Sequence, residues 1–368
     1  MFIHQRSAWP NFTWDTSTFA SLLLAVRHKQ GKLVGRMEGL GFPLREEAVL
    51  QTLTLDAVKS NEIEGEVLDA DQVRSSIARK LGIDIGSLAP ADRHIEGVVE
   101  MLLDATQNFS LPLSDERLFG WQASLFPTGR STLYKIIVGN WRDASKGPMQ
   151  VVSEAMGREK VHFEAPSAER VPAEMEAFIH WFNQDDENDA VLKAALAHLW
   201  FVTIHPFDDG NGRIARTITD LQLARSDNSS QRFYSMSAQI QVERKRYYDI
   251  LEKTQKSDLD ITEWLEWFLG CLDRALSAAE KTLESVLRKS RYWTFLNQKE
   301  LTERQKLMLN KLLDGFEGKL NTSKWAKITK VSTDTALRDI QNLLEQGVLE
   351  KEVSGGRSTS YRLVELER

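Results

Sequence analysis

The sequence predicts a mostly α-helical protein that ends in a winged helix-turn-helix domain. Apolar residues recur at three- and four-residue spacing through most of the chain, which is the period of an amphipathic helix. Alternating stretches, which are typical of half-buried strands, are few. Residues 301–368 follow a different order, with three short helices and then two extended stretches around a glycine-rich turn, and this is the order of a winged helix-turn-helix.

The composition indicates a soluble protein with more than one domain. The chain has 368 residues, of which 42% are hydrophobic and 27% charged, and this length suits two or three domains. We expect no membrane span, because no run of eighteen apolar residues is present, and no secretory signal, because the N-terminus has no apolar segment. Cys271 is the only cysteine, which excludes an intramolecular disulfide and favours a reducing, cytoplasmic location. The net charge of −6 argues against a basic nucleic-acid-binding chain.

Helical periodicity predicts the elements in order. We expect helices at 19–36, 44–60, 69–81, 92–107, 114–124, 173–183, 188–203, 213–226, 247–254 and 261–289, then at 302–314, 323–329 and 333–346. Two glycines and a proline at 39–43 separate the first two helices. Residues 147–166 alternate polar and apolar side chains around Gly157, which predicts a short hairpin. The C-terminal hairpin is expected at 348–353 and 359–364, with a turn at 354–357.

The most informative stretch is a glycine-rich loop between two predicted helices, at residues 205–216. Glycines let the backbone approach an anion, and the free amides at the start of the next helix point at it. Arg213 and Arg216 lie three residues apart in the first turn of that helix, so both can reach one phosphate chain. Cations are ordinarily disfavoured at a helix N-terminus. Two arginines there therefore indicate that an anion is expected at this position.

Two further residues of the loop suit phosphate chemistry. Asp209 offers a hard oxygen ligand beside the glycines, as Mg²⁺ requires. His205 has an ordinary pKa near neutrality and is suited to taking a proton from an attacking hydroxyl. A base, a metal ligand, an anion site and two phosphate clamps thus lie within twelve residues, which predicts attack on an activated phosphate.

This loop resembles the motif of the Fic family, H-x-F-x-[DE]-G-N-G-R-x-x-R, at every specified position. A chance match at so many positions has odds below about one in a million. The resemblance implies a Fic helical core with a β-hairpin flap and an N-terminal helical segment, and these precede the winged helix predicted at 301–368. It also implies protein adenylyltransferase activity, in which AMP passes from ATP, with Mg²⁺, to a hydroxyl side chain of a target protein or of the enzyme itself.

The resemblance further implies a role for each motif residue. His205 would be the catalytic base, Phe207 would anchor the loop, and Asp209 would bind Mg²⁺. Gly210, Asn211 and Gly212 would form the anion hole, and Arg213 and Arg216 would hold the β- and γ-phosphates. The implied nucleotide-binding residues are Glu64, Val151, Val152, Ser153, His205, Gly210, Asn211, Gly212, Arg213, Ile214, Ala215, Arg216, Tyr247, Tyr248 and Gln255.

Three supporting features come from the same resemblance. Gly212 replaces the lysine of the Doc-like branch, where phosphate is transferred, and so favours AMP transfer. The hairpin at 148–166 is similar to the family's flap, which holds a target segment by strand addition. Tyr247, Tyr248 and Gln255 lie where relatives line the adenosine pocket, although a Tyr-Tyr pair also suits a helix core.

Residues 60–65, Ser-Asn-Glu-Ile-Glu-Gly, match the family's inhibitory pattern, [ST]-x-x-x-E-[GN]. The pattern alone is common by chance, and its weight comes from lying upstream of a complete motif. Ser60, Glu64 and Gly65 are its specified positions. The resemblance implies that Glu64 pairs with Arg216 in place of the γ-phosphate, since one guanidinium cannot serve both acceptors productively.

The C-terminal domain leaves two interpretations open. Residues 301–368 carry twelve Lys/Arg against ten Asp/Glu, so a protein-interaction or dimerisation role, including a homodimer, is favoured over DNA binding. In a DNA-binding role, helix 333–346 would lie in the groove. Candidate groove contacts on this helix are Thr335, Arg338 and Asn342. Arg357 and Ser358 on the wing could contact a backbone phosphate. Asp334 and Asp339 would face the DNA phosphates unfavourably.

The predicted division is therefore 1–110, a helical segment with the inhibitory helix; 111–275, the catalytic core; 276–300, a linking helix; and 301–368, the winged helix. Two alternatives remain for the function. The same site could transfer UMP, phosphocholine or phosphate. The chain could also be a DNA-binding regulator that uses the core as a nucleotide sensor.

Overall fold

The computed structural model of the chain describes all residues except 86–88, 132, 156–157, 185–187, 314–315, 317, 353–358 and 367–368. The predicted fold class is confirmed, because helices dominate the described residues and the strands form small antiparallel pairs. The chain forms two compact units, Met1–Glu280 and Lys281–Arg368. None of the described helices combines the length and the hydropathy that a bilayer crossing requires. The finer four-part division stays a prediction.

The first unit begins with helices that start at polar capping residues. After a 3-10 turn at Ile3–Gln5, the helices are α1 (Thr16–Glu38), α2 (Phe42–Ile63), α3 (Ala70–Leu81), α4 (Arg93–Gln107) and α5 (Asp115–Leu125). The caps of α1, α3, α4 and α5 are Asp15, Asp69, Asp92 and Ser114, whose side chains accept bonds from the first free amides. These helices begin within three residues of their predicted starts.

The central helices include α7, which has no polar face. They are α6 (Val171–Asn183), α7 (Ala190–Ile204), α8 (Asn211–Asp227), α9 (Met236–Val242), α10 (Arg244–Gln255) and α11 (Thr262–Leu296). Every residue of α7 after Ala190 is buried, as expected of a helix without a polar face. The prediction missed α9, because seven residues are too few to show a helical period.

Two hairpins lie between α5 and α6. The first pairs β1 (Arg130–Ser131) with β2 (Tyr134–Lys135), and the second pairs β3 (Gln150–Ala155) with β4 (Arg158–Glu164), both antiparallel. The second confirms the predicted hairpin, although Gly157 at its centre lies outside the described residues. The first was not predicted, since two-residue strands carry no alternation.

A buried polar cluster joins α2 to α8 and the segment that follows it. Arg232 forms ion pairs of 3.2 Å with Asp220 and Asp227, both on α8. Asp56 on α2 accepts a bond of 3.3 Å from the Ser237 amide on α9. Burial, together with the neighbouring Asp56, raises the pKa of Asp220 well above its usual range. The cluster fixes α2 against α8, and the C-terminal end of α2 carries residues 60–63.

The second unit has the predicted winged order. The elements that complete it are α12 (Glu303–Leu313), α13 (Thr322–Thr329), α14 (Thr333–Glu345), and the antiparallel pair β5 (Leu349–Lys351) and β6 (Tyr361–Leu363). Its core contains the fully buried Met308, Leu309, Trp325 and Ile340. The predicted turn at 354–357 and the wing residues Arg357 and Ser358 lie outside the described residues.

One prediction for α14 was wrong. Asp339 does not face solvent; it is buried, and both of its oxygens lie 3.2 Å from the Arg304 guanidinium on α12. The reason is its spacing, since Asp339 shares the inner face of α14 with Ala336 and Leu343. Asn342 is also engaged, because its amide oxygen accepts bonds from Gln305 and Gln346. Arg338 is exposed.

Candidate active site

The loop between α7 and α8 is closed by its own side chains. His205 ends α7 in the left-handed region (φ 53°, ψ 58°), and Gly210 (φ 88°) precedes α8. Phe207 is fully buried, with its ring centroid 5.0 Å from that of Trp141. The Asn211 amide accepts from the Phe207 N–H at 2.9 Å and donates to its carbonyl at 2.8 Å. The Asn211 side chain therefore closes the loop and leaves only its backbone for an anion.

His205 is oriented to act as a base. Its Nδ1 lies 3.2 Å from the Val202 carbonyl. Since a carbonyl only accepts, the proton is assigned to Nδ1 and Nε2 keeps a free lone pair. Burial lowers the pKa of His205, so the ring is neutral near pH 7. A neutral imidazole with an unprotonated Nε2 can take a proton from a hydroxyl.

Arg142, which the sequence analysis missed, fixes the backbone of His205. It is buried, and its Nε donates to the His205 carbonyl at 2.7 Å. One Nη donates to the carbonyls of Pro166, at 2.5 Å, and Ile204, at 3.4 Å. The Arg142 amide also donates to the Pro206 carbonyl at 2.9 Å. No local pattern in the sequence identifies this residue, because its partners are distant in the chain.

The two aspartates of the loop have different surroundings. Asp208 accepts from the Ile137 amide at 3.0 Å and from the Lys146 ammonium at 2.5 Å, so it holds the loop in place. Asp209 accepts from the Ser131 hydroxyl and, at 2.5 Å, from the Gly210 amide. The described residues contain no group of three or more His, Cys, Asp or Glu that could hold a metal. Mg²⁺ often uses one or two carboxylates and completes its shell with phosphates and water, so Asp209 fits a metal that arrives with a nucleotide.

The start of α8 offers backbone amides to an anion. The helix has no side-chain cap, and its first intrahelical bond runs from Ile214 N–H to the Gly210 carbonyl at 3.0 Å. The amides of Asn211, Gly212 and Arg213 therefore have no partner within the helix. Ile214 and Ala215 are fully buried, so their side chains belong to the core rather than to a nucleotide site.

Arg216 is held by the end of α2. Its Nε donates to the Ser60 hydroxyl, and one Nη to the Ser60 carbonyl, both at 2.9 Å. The same Nη donates to Glu64 Oε1 at 2.7 Å. Burial opposes the charge on Arg216, but the Glu64 carboxylate and the Tyr247 and Tyr248 hydroxyls together outweigh burial and raise the pKa of Arg216. The predicted pair between Glu64 and Arg216 is thus present.

Both arginines keep unused donors inside the site. Each is 2% exposed, and Nε of Arg213 and the second Nη of Arg216 have no hydrogen-bond partner among the described residues. Unmade bonds from buried charged groups are costly. The pair therefore suits a ligand with several acceptor oxygens, such as a phosphate chain.

Gly212 allows the close approach of Glu64. A Cβ added at this position would lie 2.3 Å from Glu64 Oε1, which is inside contact distance. Gly65 (φ 87°) turns the chain directly after Glu64. Two motif glycines therefore permit the contact of this carboxylate with the start of α8.

The residues expected at the adenosine pocket divide into two groups. Tyr247 is 1% exposed and its hydroxyl lies 2.8 Å from His198 Nε2, while Gln255 is buried against Thr203. Both belong to the core. Tyr248 is 37% exposed, and its hydroxyl lies 3.5 Å from Glu64 Oε2. Of the three, only Tyr248 is exposed, while Tyr247 reaches the site from the core side, because its hydroxyl also interacts with the Arg216 guanidinium.

The hairpin residues Val151, Val152 and Ser153 lie on β3. Val151 pairs with Phe163, Val152 with Val161 and Ser153 with Lys160, with an irregularity between the first two pairs. The Val152 side chain is exposed. The Ser153 side chain lies outside what the structure describes.

Three family models match the chain. The Fic/DOC family matches residues 112–223, a domain of unknown function (DUF4172) matches 2–83, and the DeoR-like helix-turn-helix domain matches 304–361. The first range includes the complete loop, and the second includes residues 60–66. The third covers α13, α14, β5 and all but the first residue of α12.

Named relatives and solved structures agree with these matches. The protein adenylyltransferase fic-1 of Caenorhabditis elegans is 31% identical over 96 residues, which are 26% of this chain and 18% of that protein. The protein adenylyltransferase Fic of Drosophila grimshawi is 33% identical over 104 residues, which are 28% of this chain and 20% of that protein. The matched region thus spans about a fifth of these relatives.

Two crystal structures share the fold. A Fic family protein from Desulfovibrio desulfuricans G20 has a TM-score of 0.54 at 20% identity, covering 98% of this chain and 99% of that one. A Fic domain containing signaling protein from Bacteroides thetaiotaomicron VPI-5482 has a TM-score of 0.52 at 22% identity, covering 71% of this chain and 97% of that one. The chain therefore contains a Fic/DOC domain at residues 112–223 and a DeoR-like helix-turn-helix domain at residues 304–361.

Proposed function

We propose that the chain is a protein adenylyltransferase, which moves AMP from ATP to the hydroxyl of a Ser, Thr or Tyr side chain in a target protein or in itself. The named relatives support the activity, since they are protein adenylyltransferases. The observation that carries the proposal is one loop that brings together a neutral imidazole, uncapped helix amides and two buried arginines with unused donors.

The chain's residues divide the work of the reaction. Nε2 of His205 takes the proton of the target hydroxyl while the hydroxyl oxygen forms a bond to the α-phosphorus of ATP. The bond from that phosphorus to the bridging oxygen breaks, and pyrophosphate leaves. The α8 amides, Arg213 and Arg216 bind the charge of the departing phosphates. Mg²⁺, when bound beside Asp209, neutralises part of the phosphate charge.

Glu64 is proposed to inhibit this reaction. Its carboxylate holds the Arg216 guanidinium at 2.7 Å, where a γ-phosphate oxygen would bind. ATP bound against this obstacle would have its α-phosphate displaced from the line of attack. Ser60 supports the block by accepting the Nε bond of Arg216, and the turn at Gly65 directs the following chain away from the arginine.

The Glu64→Gly protein is therefore expected to modify itself with AMP when it is incubated with ATP and Mg²⁺, and the wild type is expected to do so at least about tenfold less. The physical reason is that the variant frees the buried arginine for phosphate. Intact-mass spectrometry measures the added AMP. Parallel incubations with UTP, GTP and CDP-choline identify the donor. Equal modification of the two proteins would contradict the inhibitory role.

The second unit supports a separate candidate function, which is DNA binding. The match to a DeoR-like helix-turn-helix domain favours it, and so does the position of Asp339 on the inner face of α14, where it pairs with Arg304 and does not face a DNA phosphate. Protein interaction, including homodimer formation, stays the other interpretation. A salt-dependent shift of a DNA duplex by the full chain distinguishes the two.

A further inference from the structure

The segment that follows Glu64 carries a second carboxylate to the same site. After the turn at Gly65, the Glu66 amide donates to the Asn61 carbonyl at 3.1 Å. This bond brings the Glu66 side chain back over α8, where Oε2 lies 2.7 Å from Nη1 of Arg213. The Arg213 side chain is almost fully buried, whereas that of Glu66 is 40% exposed. Each arginine of the motif thus has its own carboxylate.

A second residue, His94, also holds the Glu66 carboxylate against Arg213. Nε2 of His94, on α4, lies 3.3 Å from Glu66 Oε2, and its Nδ1 lies 3.2 Å from the Leu125 carbonyl. Both ring nitrogens lie near acceptor oxygens, an arrangement that favours the protonated imidazolium. The hydrogen bond to Glu66 raises the pKa of His94, and the same bond, more than the Arg213 charge, lowers the pKa of Glu66. The carboxylate is therefore ionised and held.

Apart from Glu66, the Arg213 guanidinium has few contacts that would balance its charge. Its Nη1 also lies 3.3 Å from the Asn61 side-chain oxygen, its guanidinium lies 5.0 Å above the Phe126 ring, and its Nε has no partner among the described residues. A phosphate oxygen that bound Nη1 would have to replace Glu66, because one N–H does not serve two anions at full strength.

We propose that Glu66 is a second blocking carboxylate, which competes with the nucleotide phosphates for Arg213 while Glu64 competes for Arg216. The inference rests on the proposed function and adds a contact outside the six-residue inhibitory pattern. Residues 64–66 are consecutive, so one displacement of this segment releases both arginines. Removal of Glu64 alone leaves Arg213 occupied.

The test is a calorimetric titration of MgATP into the 368-residue chain in four forms, which are the wild type, Glu64→Gly, Glu66→Gln and the double variant. We expect Glu66→Gln to tighten MgATP binding about three- to tenfold when it is added to Glu64→Gly, which is the range for a charged hydrogen bond that is partly exposed. Glutamine keeps the size of the side chain and removes its charge. Glu66→Ala removes the acceptor as well and is expected to tighten binding at least as much.

Glu62→Gln is the matched control. Glu62 lies in the same segment but pairs with Lys59 at 2.5 Å and accepts from Gln241 at 3.1 Å, so its replacement should leave MgATP binding unchanged. The inference is overturned if the double variants bind MgATP no more tightly than Glu64→Gly, or more weakly. Failure of the proposed function gives a different result, since Glu64→Gly itself would then bind no MgATP.

Discussion

Replacing His205 in the Glu64→Gly protein is expected to reduce AMP transfer by about 10²- to 10⁴-fold, which is the usual contribution of a general base. Nε2 of His205 is the free nitrogen of a half-buried, neutral ring at the start of the loop. Without it, the target hydroxyl must lose its proton to water. Initial rates of label incorporation from α-labelled ATP measure the loss.

His205→Asn is the better variant, because asparagine tolerates the left-handed backbone that His205 adopts (φ 53°). MgATP affinity should be retained, since the phosphates are held by α8 and the arginines. The pH profile of Glu64→Gly provides a second readout. Burial lowers the pKa of His205, so activity should be level above the ordinary value of about 6.5 and fall only at lower pH, as the ring gains a proton. The proposed role of His205 as the base would be contradicted if His205→Asn still transferred AMP. It would also be contradicted if the activity of Glu64→Gly already fell at a pH above about 6.5.

Arg142→Ala is expected to destabilise the protein by about 3–5 kcal/mol and to abolish transfer. The change removes the donors of the His205 and Pro166 carbonyls, at 2.7 and 2.5 Å, and each acceptor left unpaired in a buried position costs about 1–3 kcal/mol. It also frees the backbone that orients His205, the proposed base. Urea unfolding of the full chain measures the first effect, and label incorporation in the Glu64→Gly background measures the second.

Arg142→Lys separates charge from geometry. Lysine keeps the positive charge but has one ammonium in place of a planar fork, so it should recover only part of the stability. Arg170→Ala serves as the control, because Arg170 is a more exposed arginine of the same region that pairs mainly with Glu174. A loss of less than about 1 kcal/mol in Arg142→Ala, with transfer intact, would show that the three carbonyls find other donors.

The sequence predicted the parts of the site that are local. The loop from His205 to Arg216 is contiguous, and its glycines, acid and arginines each have a clear chemical reason. Periodicity predicted the long helices because each has an apolar face or is apolar throughout. The pair between Glu64 and Arg216 was also predicted, but only through the family pattern, since 152 residues separate the two.

The parts that were missed depend on tertiary packing. Arg142 contacts residues 24 and more positions away, and nothing nearby in the sequence marks it. Glu66 is two residues beyond a recognised glutamate, and only the turn at Gly65 shows that it returns to α8. Tyr247 and Tyr248 point in different directions on α10, and the choice of Tyr247 for the core depends on His198 of α7.

The most direct test of the central claim is the position of the transferred label. Glu64→Gly is incubated with Mg²⁺ and ATP labelled at either the α- or the γ-phosphorus, and protein-bound label is counted after denaturation. Attack at the α-phosphorus predicts that only the α-label stays on the protein and that His205→Asn prevents it. Retention of the γ-label, or of neither label, would contradict the account.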